Sequence, residues 1–147
     1  IWIIECSEHL ADKKAMMEMF YRLLQPQGRL VLSSWCHRNE PPSLRKPEQQ
    51  LLEKVGRLFH FPALASLRSL EEFAAAAGFE KIETADWSGN IVPFWRAVIQ
   101  SAFRPSSVIK LLQAGWPTIK GAWALRYMMA GYRKGVVKYG VLQAVKR

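Results

Sequence analysis

The sequence has no run approaching the roughly 18 consecutive apolar residues that a membrane-spanning helix requires, because Lys, Arg and Glu interrupt every hydrophobic stretch. It carries only two cysteines, Cys6 and Cys36, and neither stands in a Cys-x-x-Cys or Cys/His metal spacing. A disulfide-stapled scaffold and a cysteine-built zinc site are both excluded, and the two thiols read as reduced, small apolar side chains. The opening Ile1-Trp2-Ile3-Ile4-Glu5 lacks the charged leader, apolar stretch and small-residue cleavage site of a signal or transit peptide. Also missing is a Gly-x-Gly turn following a strand, the element on which nucleotide-binding sheets cradle their cofactors. No internal repeat or low-complexity segment occurs.

What is present is enough for one core: 147 residues, 50% hydrophobic and 22% charged. Lys and Arg number 21 against 12 acidic residues, a formal charge of +9. That sign admits an anionic membrane surface or nucleic acid as partner. The cations are dispersed, however, in short clusters such as Arg133-Lys134 and Lys146-Arg147 and not in a continuous basic face, which disfavours a nucleic-acid face and leaves peripheral membrane contact open.

The hydrophobic pattern predicts an α/β chain. Ile1 to Cys6 has the composition of a strand buried on both faces. From Asp12 to Leu24 the residues Met16, Met19, Phe20 and Leu23 recur at helical spacing, with Pro26 and Gly28 beyond. Arg29 to Cys36 predicts a second buried strand, completing a βαβ unit whose strands are parallel and adjacent or nearly so. A helix is expected from Glu48 to Phe59, then a short one with Ser69 before its first-turn acids and Gly78 at its end, then a strand from Phe79 to Trp87. Pro93 opens a helical stretch through Phe103, followed by helical patterns at Val108 to Leu112 and Ile119 to Tyr132. Val136 to Val145 returns to β. The organisation is a sheet with crossover helices over 1–88, a helical insertion over 89–135 and a final strand over 136–147.

Open parallel sheets bind ligands beyond the carboxyl ends of their strands, so the loops Cys6 to His9 and Trp35 to Arg38 are the places to look. Each holds a histidine, His9 and His37, whose ordinary pKa suits proton removal from a phenol. Hydrogen bonding to loop backbone would account for His9 equally well, and a surface position beside Arg38 accounts for His37 slightly better. His60, between two phenylalanines, reads as structural or ligand-lining. Glu5 and Glu8 could anchor a cationic group, although an acid beside a helix N-terminus is also what the helix dipole selects. Trp35, Trp87, Phe94 and Trp95 are candidates for the wall of an apolar pocket, with core packing as the commoner role for any one of them.

Four separated blocks carry a resemblance. Glu5-Cys6-Ser7-Glu8-His9-Leu10-Ala11-Asp12-Lys13 resembles the "ESGEHMPDK" segment of gamma-tocopherol methyltransferases and their plant alkaloid N-methyltransferase relatives. Trp35-Cys36-His37-Arg38 resembles their "TWCHR", and Ala85-Asp86-Trp87-Ser88 with Asn90, Pro93, Phe94 and Trp95 resembles "ADWSxNxxPFW". Gly115-Trp116 with Thr118 to Ala122, and Gly131-Tyr132 with Lys134-Gly135-Val136, resemble "GWxTIKGA" and "GYxKGV". The match is collinear over essentially the whole chain.

This resemblance implies the C-terminal half of a Rossmann-like class I methyltransferase, from about the fourth strand to the last, with a helical insertion before the final strand. The glycine-rich cofactor turn is expected upstream of such a half, which alone would be inactive. The resemblance further implies S-adenosylmethionine as cofactor, bordered by Glu5, Cys6, Ser7 and Glu8 at its methyl end. His9 and His37 would be catalytic, and Trp35, Trp87, Phe94 and Trp95 would contact the acceptor. No metal is implied. The acceptor would be a prenylated phenol or chromanol methylated on a ring carbon, with an alkaloid nitrogen as rival. The place would be a plastid or a cyanobacterial cell. A non-catalytic basic module binding membrane or nucleic acid is the reading from outside that family.

Overall fold

The computed structural model describes the backbone of residues 1–102 and 116–147, and the side chains of 1–101 and 123–147. Its elements are β1 (Trp2–Ile4), a 3-10 turn (Ser7–His9), α1 (Lys13–Leu23), β2 (Arg29–His37), α2 (Lys46–Phe59), α3 (Leu67–Ala77), β3 (Phe79–Asp86), α4 (Ser88–Ala102), α5 (Trp116–Arg133) and β4 (Val137–Lys146). The expected helical pattern at Val108 to Leu112 lies outside the described residues.

The strands form one sheet in the order β1-β2-β4-β3. β1 and β2 are parallel neighbours, with Trp2 opposite Val31 and Ile4 opposite Ser33, as the βαβ reading requires. β4 is inserted between β2 and β3 and runs antiparallel to both, pairing Trp35 with Tyr139 and Ala85 with Val141. The last strand therefore carries residues from the end of the chain against those of its first quarter.

Strand periodicity divides the side chains of β2 between two cores. Leu30, Leu32 and Cys36 point to one side, where α1 and α3 supply Met16, Met17, Phe20, Leu70 and Ala74. Trp35 points to the other, where α2 and α5 supply Val55, Met128, Met129 and Tyr132 and β4 supplies Val137 and Tyr139. Fully burying each large apolar side chain contributes roughly 1.5–3 kcal/mol. Both layers are thus driven by the same alternation.

Four expectations need correction. The first strand is not buried on both faces here: among the described residues β1 pairs with β2 alone, and Trp2 and Ile4, on the face that no described helix covers, are 75% and 57% exposed. The buried side of α1 is Lys13, Met16, Met17 and Phe20, while Met19 and Leu23 are exposed. A rotation by part of a turn separates these two faces. The third helix begins one turn earlier than Ser69, because Ser66 is the cap and its Oγ accepts from the Ser69 amide at 3.0 Å. Finally, α4 begins at Ser88, which places Pro93 inside it. Asp86 Oδ1 accepts from the Ser88 amide at 2.9 Å and Trp87 supplies the first helical carbonyl, so the helix is nucleated upstream of the proline. Pro93 merely removes one interior hydrogen bond.

Candidate active site

Two loops leave the carboxyl ends of the parallel strands. In the first, the Glu5 amide donates to Ser33 O at 3.0 Å, which ties the exit of β1 to β2. Glu5 itself adopts φ 46°, an uncommon left-handed conformation for a residue with a Cβ. The chain then turns inward: Ser7 and Glu8 are buried, whereas Glu5, Cys6 and His9 are exposed. Ser34 Oγ donates to Glu8 Oε2 at 3.1 Å. Burial raises the Glu8 carboxyl above its ordinary range, opposed by its hydrogen bonds to backbone and Ser34. Lys13, also buried, donates from Nζ to the carbonyls of Glu8 (3.2 Å) and Leu10. Its pKa is lowered by the same loss of water. A buried lysine that ties down two loop carbonyls fixes the shape of Cys6–Leu10, a role that sequence spacing did not reveal.

In the second loop, His37 closes β2. Its amide donates to Ala65 O at 3.0 Å and its Nδ1 lies 2.7 Å from Arg38 O. Arg38 binds Glu48 through two contacts, Nη2 to Oε2 at 2.8 Å and Nε to Oε1 at 3.2 Å, and also donates to Ser43 O and Asn39 O. Two parallel N–H···O bonds hold the loop against the start of α2 with defined geometry. The Arg38 guanidinium, helped by the Arg45 amide, keeps the Glu48 carboxyl down at about 2. Arg38 is therefore occupied by the loop.

The aromatic side chains connect the two loops. The His9 ring packs edge-on against Phe61, with centroids 4.8 Å apart. Phe61 meets Trp35 at 5.1 Å, Trp35 meets Trp95 at 5.6 Å, and Phe94 meets Trp95 at 5.2 Å, all near-perpendicular. Phe59 adds a further edge contact to Trp35. Such T-shaped contacts place the positive ring edge on a neighbour's negative face. Phe61 also lines, with His37, Leu52, Leu64 and Arg57, an open groove of about 600 Å³ beside α2. His60 caps α2 in the left-handed conformation, φ 58°, and so turns the chain that delivers Phe61.

Thus His9, Trp35, Trp95 and Phe94 share one aromatic row, and His37 borders the groove that Phe61 joins to it. Trp87 stands apart: it is 49% exposed, at the end of β3, with its amide on Tyr139 O at 2.8 Å. Glu5 and Cys6 are open to a ligand, and the side chains of Ser7 and Glu8 are turned into the protein. Phe61, Lys13, Ser33, Tyr132 and Tyr139 escaped the sequence reading. Phe61 stands in the Phe-His-Phe sequence that drew attention only to its histidine. Among the described residues no cluster of three or more His, Cys, Asp or Glu side chains could hold a metal. Nor is any helix among them long and apolar enough to cross a membrane.

The tocopherol O-methyltransferase of Arabidopsis thaliana, named as chloroplastic, is 36% identical to the chain over 149 aligned residues, covering 99% of it. The chain resembles the tocopherol methyltransferases over its whole length. It spans 43% of the Arabidopsis protein, less than half of it. Norajmaline N-methyltransferase of Rauvolfia serpentina is 31% identical over 140 residues, 92% of the chain and 48% of that enzyme. No family model matches.

Among solved structures, Haemonchus contortus phosphoethanolamine N-methyltransferase 2, crystallised with S-adenosylhomocysteine, superposes over 99% of the chain and 32% of its own, with TM-score 0.78 and 15% identity. Geranyl diphosphate C-methyltransferase of Streptomyces coelicolor A3(2) does so over 99% and 45%, with TM-score 0.72 and 16% identity. The fold is that of part of an S-adenosylmethionine-dependent methyltransferase domain, as the tocopherol methyltransferase resemblance implies.

Proposed function

We propose that the chain is the acceptor-side portion of an S-adenosylmethionine-dependent methyltransferase that methylates a ring carbon of a tocopherol-like chromanol. The observation that carries this reading is the aromatic row that runs from His9, in the loop after β1, through Phe61 and Trp35 of β2 to Trp95 of α4. An apolar wall with one titratable group at its end suits a flat phenolic ring that must lose a proton. Residues 1–88 supply the first three strands and the crossover helices, the described residues of 89–135 a helical cover, and 136–147 the last strand of a single domain.

When bound, the cofactor supplies an electrophilic methyl group. Everything else concerns the acceptor. His9 accepts the phenolic proton, which raises electron density at the ring carbons, and Trp35 and Trp95 fix the ring plane so that one carbon lies in line with the methyl. His37 stands at the groove end as a second base, and Trp87 and Phe94 are outlying acceptor contacts. The exposed Glu5 and Cys6 border the cofactor's methyl end, and Ser7 and Glu8 shape the loop from inside. These residues fit the edge of such a site and not its glycine-rich cradle, since no Gly-x-Gly turn is present. The plastid is the proposed location, in keeping with the chloroplastic relative, and peripheral contact of the basic surface with membrane lipid would help an enzyme reach a prenylated acceptor.

A second reading, an alkaloid nitrogen as acceptor, is favoured by the 31% identity with norajmaline N-methyltransferase. The full-length protein that carries this chain, given methyl-labelled cofactor and equal amounts of a chromanol and an indoline alkaloid, separates the two. Label in the chromanol supports the proposal. Label in the alkaloid alone overturns it, and so does label in neither.

A further inference from the structure

The groove beside α2 is bordered by His37, the last residue of β2, and the mechanism above uses only that end of it. Its apolar lining is Leu44, Leu52, Phe61, Pro62 and Leu64, all half-buried. Gln49, Glu53 and Arg57 are exposed and form its rim. At Gly56 the helix and the 61–64 segment come together, since a Cβ there would stand 3.2 Å from Phe61 O. The volume of about 600 Å³ falls within the range, roughly 300–1,000 Å³, of small-molecule sites.

Charge and hydrogen bonding narrow the occupant. Glu53 and Arg57 stand one turn apart on α2 and offset each other, so the rim presents no net charge to a phosphate or an ammonium group. The Phe61 amide already donates to Gly56 O at 2.8 Å, and Pro62 has no amide hydrogen, so the start of the far wall offers an extended peptide no donor. Hydrocarbon needs neither a charge nor a hydrogen bond. Phe61 also joins the groove to the aromatic row, because its ring meets His9 at 4.8 Å and Trp35 at 5.1 Å. An aromatic ring placed against His9 has the groove within one side chain's width.

We propose that this groove binds the hydrocarbon tail of the acceptor, with Leu52, Phe61 and Leu64 as its specificity residues. This rests on the acceptor reading above and adds a second subsite to it: the ring lies against the row and the tail lies along α2. Each buried methylene is worth about fourfold in affinity. About five tail carbons lying on an open groove, with one side left to water, keep about half of that exponent, which is roughly thirtyfold.

The test is calorimetric binding of two chromanols, one without a tail and one with a ten-carbon isoprenoid tail, to the full-length protein and its Ala63→Trp variant. Ala63 is exposed and lines the groove, so the indole fills the groove without entering the core. The wild type is expected to prefer the tailed chromanol by about thirtyfold. Ala63→Trp cuts that preference at least about fivefold and leaves affinity for the tail-less chromanol unchanged. An undiminished preference in the variant, or an equal weakening of both ligands, overturns the proposal. Should Ala63→Trp fail to fold, Glu53→Trp, on the α2 side, decides by the same criterion. A wild type that sediments as a dimer, with an Ala63→Trp variant that sediments as a monomer, gives the groove to a second copy of the chain and overturns the proposal as well. Binding of S-adenosylhomocysteine with no binding of either chromanol sinks the acceptor reading and the proposal together. Equal binding of both chromanols by the wild type sinks the proposal alone.

Discussion

Replacing Gly131 with alanine is expected to destabilise the protein, against the usual trend. In an exposed helix that change stabilises by about 1 kcal/mol, because glycine loses more backbone entropy on folding. Gly131 precedes Tyr132 on α5 and is where that helix crosses the start of β4. An added Cβ would stand 3.0 Å from Val137 Cβ and overlap Val137 Cγ2 outright. Val137 is fully buried and β-branched, so it has no free rotamer into which to retreat. Overpacking of this kind costs about 1–3 kcal/mol. With the overlap falling on a rigid neighbour, the upper half of that range applies, and the net effect is a loss of about 1–2 kcal/mol. Urea unfolding of wild type, Gly131→Ala, Val137→Ala and the double variant measures it. Val137→Ala alone loses about 2 kcal/mol by leaving a cavity, and the double variant should be at least ~1 kcal/mol more stable than the sum of the singles predicts. A Gly131→Ala variant more stable than wild type, or strict additivity in the cycle, would refute the close packing of α5 on β4.

Three further outcomes follow from particular contacts. Glu48, held at about 2 against an ordinary 4.5, contributes stability that is fully present above 4.5 and is lost as the pH falls through about 2. Thermal melts should therefore show a steeper acid decline for wild type than for Glu48→Gln between those limits, and parallel curves would contradict the Arg38 pairing. Gly78 ends α3 at φ 101° with Tyr21 only 3.1 Å from where a Cβ would be, so Gly78→Ala should cost at least ~1 kcal/mol in urea unfolding. His9→Gln in the full-length protein should slow methyl transfer roughly a hundredfold and leave chromanol affinity nearly unchanged. An unaltered rate would reduce His9 to a stacking partner of Phe61.

Local sequence carried most of the fold, because its signals are local. Asp12, predicted near the start of the first helix, caps α1 through an Ala15 amide at 2.8 Å, and Gly78 ends α3 where the left-handed turn demanded it. Alternation in Arg29 to Cys36 gave β2 its two faces. What failed depended on neighbours. The apolar Ile1–Cys6 run says nothing about how many strands flank it, and with one flank Trp2 and Ile4 stay exposed. The inward side of α1 is chosen by what lies beneath the helix, hence Met17 and not Leu23. The aromatic row was half legible: Trp35 and Trp95 were candidates, but Phe61, the link between His9 and Trp35, is placed by the left-handed turn at His60. Tyr139 meets Ser33 across 106 residues only because β4 enters the sheet beside β2, and no spacing within the chain encodes that pairing.

The most direct test of the account is the position of the transferred methyl in the product. The full-length protein, supplied with carbon-labelled S-adenosylmethionine and a prenylated chromanol bearing an unsubstituted ring position, should give a product whose label resides on that ring carbon by NMR. Label on the ring oxygen, or on the nitrogen of an amine offered in its place, would contradict the account of methyl transfer to a ring carbon.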